Sequence, residues 1–300
     1  VTCKETGSGT RPVLSASYKT DIPAFYGDWF VNRLQAGHVT VHNVWNNRPF
    51  TVDLRPHALS GIVLWTRNIK PFLHHMPAVD ALGLPTVIQF TVTGYPRNLD
   101  RFVPDAYQAV EMIRTLAGAR GSDAVVWRYD PILFTSLTPP HWHRETFSRL
   151  AQDLRGAVNE VVVSFAQFYS KTRRSLARVA QHSHLTWHDP DDDTKKELLG
   201  DFLAIAQDNG MALSLCAQRH LLVPGLQDAA CIDTERLSRL AGQAVITGSR
   251  SHRASCACAA SKDIGAYNTC PQGCIYCYAT TTHVKAREAA QSHKAGQEAL

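Results

Sequence analysis

The sequence predicts an α/β protein built as a full or partial (β/α) barrel of the TIM type, and three observations carry that expectation. Apolar, strand-like runs alternate with segments of helical spacing along the chain, an order that places a parallel sheet inside a layer of helices. Six such strands precede a seventh, enough to close or nearly close a barrel. Polar side chains gather where these runs end, which is where such barrels keep their reacting groups.

VLSASY (13–18) is the first strand, and the amphipathic stretch from Pro23 to Gln35 follows it as a helix. GIVLWT (61–66) is the second strand, and TVIQFTVTG (86–94), stopped by a Gly-Tyr-Pro turn, is the third. AVVWRYDP (124–131), EVVVSFAQF (160–168) and MALSLCA (211–217) continue the series. Helical spacing fills 104–118, 143–155 and 195–209, with Pro104 and Thr194 as acceptable starts. DIGAYN (263–268) is the seventh strand, and 188–197, HDPDDDTKKE, reads as a solvated loop capping the next helix. Residues 1–12 are expected to be a flexible lead and 13–300 a single domain, with an auxiliary metal-binding segment over 216–258.

The 300 residues are 44% apolar and 19% charged, a balance typical of a chain with a substantial core. No apolar run approaches membrane-spanning length. The polar start has no apolar signal region, so a cytoplasmic, reducing setting is expected, and clustered cysteines there point to metal or redox chemistry rather than disulfides. A net charge of +5 permits an anionic substrate or nucleic acid and requires neither. Lys171, Arg173 and Arg174 form the one compact basic cluster. The histidines of HH (74–75), HWH (141–143) and HSHLTWH (182–188) lack the i, i+4 spacing of zinc enzymes and are expected in surface loops.

Polar residues mark the strand ends: Ser15, Ser17, Lys19, Thr20 and Asp21, then Thr66, Arg67 and Asn68, then Arg128 and Asp130. Gln89, Thr91 and Thr93 alternate along the third strand and so share one face, and Ser164 lies in the fifth. A buried polar group left unpaired costs about 1–3 kcal/mol, so such a row needs mutual hydrogen bonds, ordered water or a polar ligand.

CPQGCIYCYA (270–279) concentrates three of the eight cysteines as C-x3-C-x2-C. Structural zinc wants a closed tetrahedron of four ligands. Three thiolates on a four-iron cluster leave one iron free to hold a small molecule.

Cys270, Cys274, Tyr276 and Cys277 together resemble the signature of the radical S-adenosylmethionine (SAM) superfamily, and YNTCPQGCIYCYA is most similar to its spore photoproduct lyase-like branch. Over roughly residues 13–280 the chain also resembles the bacterial domain-of-unknown-function family 1848, through SAS-x-x-TDIPAFYGDWF, WRYDP and IGAYNTCP-x-GC-x-YCY. Tyr18 departs from that pattern, which has a second basic residue beside Lys19. The resemblance implies a 4Fe–4S cluster on Cys270, Cys274 and Cys277 that chelates SAM and, with one electron, cleaves it to methionine and a 5′-deoxyadenosyl radical. That radical abstracts hydrogen from a substrate the sequence does not identify. A low-potential donor such as a flavodoxin or ferredoxin is implied as a partner. Tyr276 is then expected near the adenine, with Ser17, Gln89, Thr91 and Arg128 around SAM. Arg128 is the candidate for its carboxylate, because a guanidinium fork suits one. Lys19, Asp21 and Asp130 are expected on the substrate side. Two other readings stand beside this one: a DNA-repair lyase, and a non-catalytic zinc or iron–sulfur protein.

Superfamily barrels carry the motif after their first strand, whereas here it follows the seventh. A circular permutation reconciles the two if DIGAYN is the family's first strand and 282–300 the helix after it. Cys216, Cys231, Cys256 and Cys258 remain, enough to ligate a second 4Fe–4S cluster, with zinc and buried thiols as rivals. For these four to meet, residues 250–262 are expected to run back over the top of the barrel.

Overall fold

A computed structural model describes residues 10–248 and 256–300. Most of the expected flexible lead, Cys3 included, lies outside the described residues, as does 249–255. In chain order the strands are β1 (Val13–Ala16), β2 (His38–His42), β3 (Pro49–Asp53), β4 (Ile62–Thr66), β5 (Thr86–Thr91), β6 (Val125–Ile132), β7 (Glu160–Phe165), β8 (Ala212–Leu215), β9 (Gln227–Asp228) and β10 (Ser261–Asp263). The helices are α1 (Ile22–Phe25), α2 (Gly27–Ala36), α3 (Met76–Asp80), α4 (Ala106–Arg120), α5 (Pro140–Leu154), α6 (Ser170–Ser183), α7 (Asp192–Asp208), α8 (Thr234–Ala241) and α9 (His283–Ser292).

Eight strands form one sheet in the order β10-β1-β4-β5-β6-β7-β8-β9, every neighbouring pair parallel, while β2 and β3 form a separate antiparallel hairpin. The protein is therefore a mixed α/β fold on an open parallel sheet. All six early strands lie within the expected runs, extended by one residue in β6. The seventh is shorter and earlier than DIGAYN suggests. Its ladder ends when Ile264 donates to the Ser15 carbonyl at 3.1 Å, and the chain then turns through Gly265 and a left-handed Asn268 (φ 62°).

The two-residue period sorts each strand between two environments. Leu14, Leu64, Phe90, Trp127 and Val163 face the helices, where they join Phe30 of α2, Phe147 of α5 and Phe202 of α7 in the main core. Phe147 and Phe202 stack with centroids 4.0 Å apart. On the opposite face Val13, Val63, Val87, Val126 and Val162 make a smaller apolar layer with Ala229, Cys231, Ile232, Leu237 and Cys258. Further along the same strands this face turns polar, through Ser15, Trp65, Thr91, Arg128 and Ser164.

Helix boundaries follow their caps. Asp105 accepts from the Gln108 amide to start α4, and Asp191 from the Thr194 amide to start α7. The acidic run does cap the next helix, but its loop ends at Asp191, because α7 already takes in residues 192–197, which corrects the expected loop. Pro140 opens α5 three residues earlier than its apolar spacing suggests, since proline suits a first helical position. That extension places His143 inside a helix, fully buried, which corrects its expected loop position. Its ring lies between the Tyr129 hydroxyl (2.8 Å) and the Leu133 carbonyl (3.1 Å). No helix among the described residues is long and apolar enough to cross a membrane.

Candidate functional site

A cavity of about 1260 Å³ opens over the polar half of the sheet, and all seven described cysteines line it. The motif cysteines reach it on the loop after β10. That loop is fixed by a short antiparallel contact in which Ile275 donates to Leu99 O (3.0 Å) and Phe102 donates to Gln272 O (3.2 Å). Gly273 makes the turn with φ 75°. A Cβ there would also meet the Phe102 ring at 2.8 Å, so no other residue fits this turn without displacing its neighbour.

The other four thiols arrive from two segments. Cys216 follows β8, Cys231 follows β9, and Cys256 and Cys258 precede β10. Cys216 and Cys231 sulfurs are 3.6 Å apart, Cys231 is in contact with Cys258, and Cys258 with Cys256. The four therefore form a contiguous row. The expected route of residues 250–262 lies in part outside the described residues; Cys231 and Cys258 sit on the sheet face opposite the main core, among its valines. Ala259 donates to Ile232 O at 3.0 Å, joining the two segments there.

Burial raises two of the motif thiols, Cys270 and Cys274. Cys270 is pushed up to about 12 by desolvation and the nearby Asp21 and Cys277, against backbone hydrogen bonds from Asp21 and Gln272. Desolvation drives Cys274 well above the ordinary range, against the pull of Arg67. In the second set the Cys231 hydrogen bond and burial raise Cys216. Cys216 lowers Cys231, but Cys258 and burial outweigh it and leave it at about 11. Cys231 likewise lowers Cys258, which Cys256 and burial return to about 11. Crowded, desolvated thiols of this kind hold their protons until a soft cation displaces them.

Each set also has a buried arginine aimed at a sulfur. Arg67 Nη1 lies 3.2 Å from Cys274 Sγ, and Arg128 Nη1 lies 3.0 Å from Cys231 Sγ. A donor at hydrogen-bond distance from a thiol sulfur is worth most when that sulfur carries negative charge. The donor set, soft ligands with a compensating cation beside each group, fits anionic iron–sulfur ligation at both places.

The remaining expected site residues divide by position. Ser17, Lys19, Asp21, Thr91, Arg128, Asp130 and Tyr276 all line the cavity. Gln89 does not. It lies beneath, donating to Cys231 O at 2.9 Å and accepting from Arg128 at 3.3 Å. Arg128 is also held by Asp130 (2.6 Å) and lies over the Trp65 ring at 5.1 Å, while Asp130 accepts in turn from Ser164. Arg128 would have to release Asp130 to take a ligand carboxylate. Lys19 pairs with Asp263 at 3.2 Å, and Ser17 donates to the same carboxylate at 2.7 Å. Asp21 accepts from the Ala24 and Arg67 amides and the Gln272 side chain, and burial raises its pKa against these donors. Tyr276 donates to Asp100 at 2.7 Å and is bonded to Arg67.

Asp263 and Asp100 hold residues of the candidate site and stand out by no sequence pattern. Asp263, at the end of β10, receives Ser15, Ser17, the Tyr18 amide and Lys19. Asp100 pairs with Arg67 at 2.7 Å. No spacing rule links Arg67 to Asp100, because the contact exists only where two loops meet.

An open parallel α/β sheet carrying a thiol-lined cavity at its strand ends defines the class of this protein. Within that class, residues 13–279 match the family described as domain of unknown function DUF1848, and the chain belongs to it. No curated protein matches the sequence.

Proposed function

We propose that this protein is a radical SAM enzyme that carries a second iron–sulfur site. The observation that carries the reading is the convergence of the C-x3-C-x2-C thiols, strand-end polar groups and a second thiol set on one cavity. Cys270, Cys274 and Cys277 would hold a 4Fe–4S cluster, and Cys216, Cys231, Cys256 and Cys258 the other. A single ligand site is usually about 300–1,000 Å³, so the larger cavity here is in keeping with more than one occupant. Held by Cys270, Cys274 and Cys277, such a cluster would supply the one-electron chemistry that cleaves SAM to methionine and a 5′-deoxyadenosyl radical. An external low-potential donor must provide that electron.

The chain's own residues position and shield. Arg67 and Asp100 lock Tyr276 and place a positive charge beside Cys274. Arg128, braced by Asp130 and Gln89, does the same beside Cys231. Ser17 and Thr91 are left to border SAM with the Tyr276 ring, and Lys19, Asp21 and Asp130 to face substrate. A permuted, partly open barrel accounts for the motif's place near the C-terminus. If the sheet is counted from β10, the motif loop follows the first strand and β1, β4, β5, β6, β7 and β8 succeed it in order.

The test is anaerobic reconstitution with iron and sulfide, followed by SAM and dithionite. 5′-Deoxyadenosine is expected from the native chain and not from the Cys270→Ala/Cys274→Ala/Cys277→Ala variant. A fully loaded native chain that leaves SAM intact would end the proposal.

A further inference from the structure

The charges around the cavity do not cancel evenly. Three of its cations are matched by carboxylates: Lys19 by Asp263, Arg67 by Asp100 and Arg128 by Asp130. Lys171 and Arg174, on the first turns of α6, also line the cavity, and neither has a carboxylate partner among the described residues. Lys171 stands 4.8 Å from the centre of the Tyr267 ring, whose other cation is Lys19 at 5.8 Å. α6 is anchored next to the motif, because Thr172 donates to Tyr276 O at 3.4 Å. The unmatched charge is therefore held at the cavity and is not free to swing away with a loose loop.

Aromatic surface accompanies that charge. Tyr18 is a third exposed, meets Trp65 edge-on at 6.5 Å, and Trp65 lines the cavity. The cations over the Tyr18 and Trp65 rings are the matched Lys19 and Arg128, and the same cavity also holds the unmatched pair. Flat rings and unmatched cations in one cavity are the elements that receive a planar anion: the ring stacks and the charge is paired.

We propose that the substrate is a small planar anion, carrying a carboxylate or phosphate received by Lys171 and Arg174 and a ring lying against Tyr18 and Trp65. This names the substrate class for the function proposed above and rests on that reading for its chemistry. The binding itself does not depend on it.

The experiment is therefore done without SAM cleavage. Phenyl phosphate, phenylacetate and neutral benzyl alcohol are titrated calorimetrically into the full-length, anaerobically purified protein. At least one of the two anions is expected to bind, benzyl alcohol is not, and the two anions distinguish phosphate from carboxylate. Lys171→Met/Arg174→Met should weaken anion binding by about tenfold or more. SAM affinity, measured separately on reconstituted protein, should stay unchanged. Arg174 is exposed and Lys171 half-buried, and neither is ion-paired among the described residues, so the variant is expected to keep its thermal stability. A Lys171→Glu/Arg174→Glu variant gives a second reading and should abolish the binding. Equal affinity for benzyl alcohol would overturn the proposal, as would a loss of SAM affinity in the double variant or tighter binding of a short DNA duplex. Missing 5′-deoxyadenosine with intact anion binding would instead count against the enzymatic reading alone.

Discussion

His143 gives the clearest electrostatic consequence of a single side chain. Burial pushes its pKa down to about 4, against the raising effect of the Leu133 carbonyl. Unfolded histidine titrates near 6.5, so the unfolded chain takes up a proton between about pH 6.5 and 4 and the folded chain does not. Stability is therefore complete above about pH 6.5 and is lost as pH falls through 4. Denaturant titrations at pH 7 and 5 should differ by about 2 kcal/mol from this group, and His143→Gln should remove that part of the slope. Arg67 is the second residue to test. Its side chain and that of Asp100 are 10% and 4% exposed, and removing one charge of such a pair costs about 3–5 kcal/mol. Arg67→Met should lose that stability, and Arg67→Met/Asp100→Asn should recover much of it. Equal stability of the single variant and the native chain would show that the pair is not electrostatically important.

Among the elements, the loop after β10 and the loop after β1 are bound as one unit. A Cβ on Gly265 would stand 2.1 Å from Ser17 Oγ and 2.6 Å from Ser17 Cβ. Forcing extra volume into such a contact costs about 1–3 kcal/mol. Gly265→Ala is expected to lower the melting temperature and weaken SAM binding, and Ser17→Gly in the same chain to restore part of the stability. If Gly265→Ala binds SAM as the native chain does, the two loops do not jointly shape that site. The strands and most helices were legible at this scale because their apolar periods are long. β9, α3, α8 and the β2–β3 hairpin were not, since two to eight residues of strand or helix leave little periodic signal, and neither was α6, whose fourteen residues are mostly polar. The seventh strand was misplaced by its own composition. Ile264 and Tyr267 look like strand residues, but the turn at Gly265 and Asn268 overrides that propensity.

For the whole molecule, the second thiol row ties the segment after β8 and β9 to the segment before β10, at opposite edges of the sheet order. A metal or cluster bound there by the folded chain alone adds stability by mass action. After reconstitution the Cys270→Ala/Cys274→Ala/Cys277→Ala variant should retain about four irons with iron–sulfur absorbance. It should also melt higher than its metal-free form. One zinc per chain would assign the row to zinc, and no metal would leave it as buried thiols. Further Cys216→Ser and Cys258→Ser changes should remove both the metal and the added stability.

The sequence by itself determined the alternation of strand and helix, the three-thiol motif and the polar strand ends. Each is encoded locally, in a period of two or 3.6 residues or a spacing of three. Only the tertiary structure decided that four cysteines spread over 216–258 form one row and that Arg67 and Arg128 each serve a sulfur. It also decided that Asp100 and Asp263 anchor the site and that Lys171 and Arg174 face the cavity unmatched. Those relations join residues up to 248 positions apart, as Ser15 and Asp263 are. They arise because parallel strands bring distant loops to one end of a sheet, where burial makes charges such as Lys19, Arg67 and Arg128 find a partner.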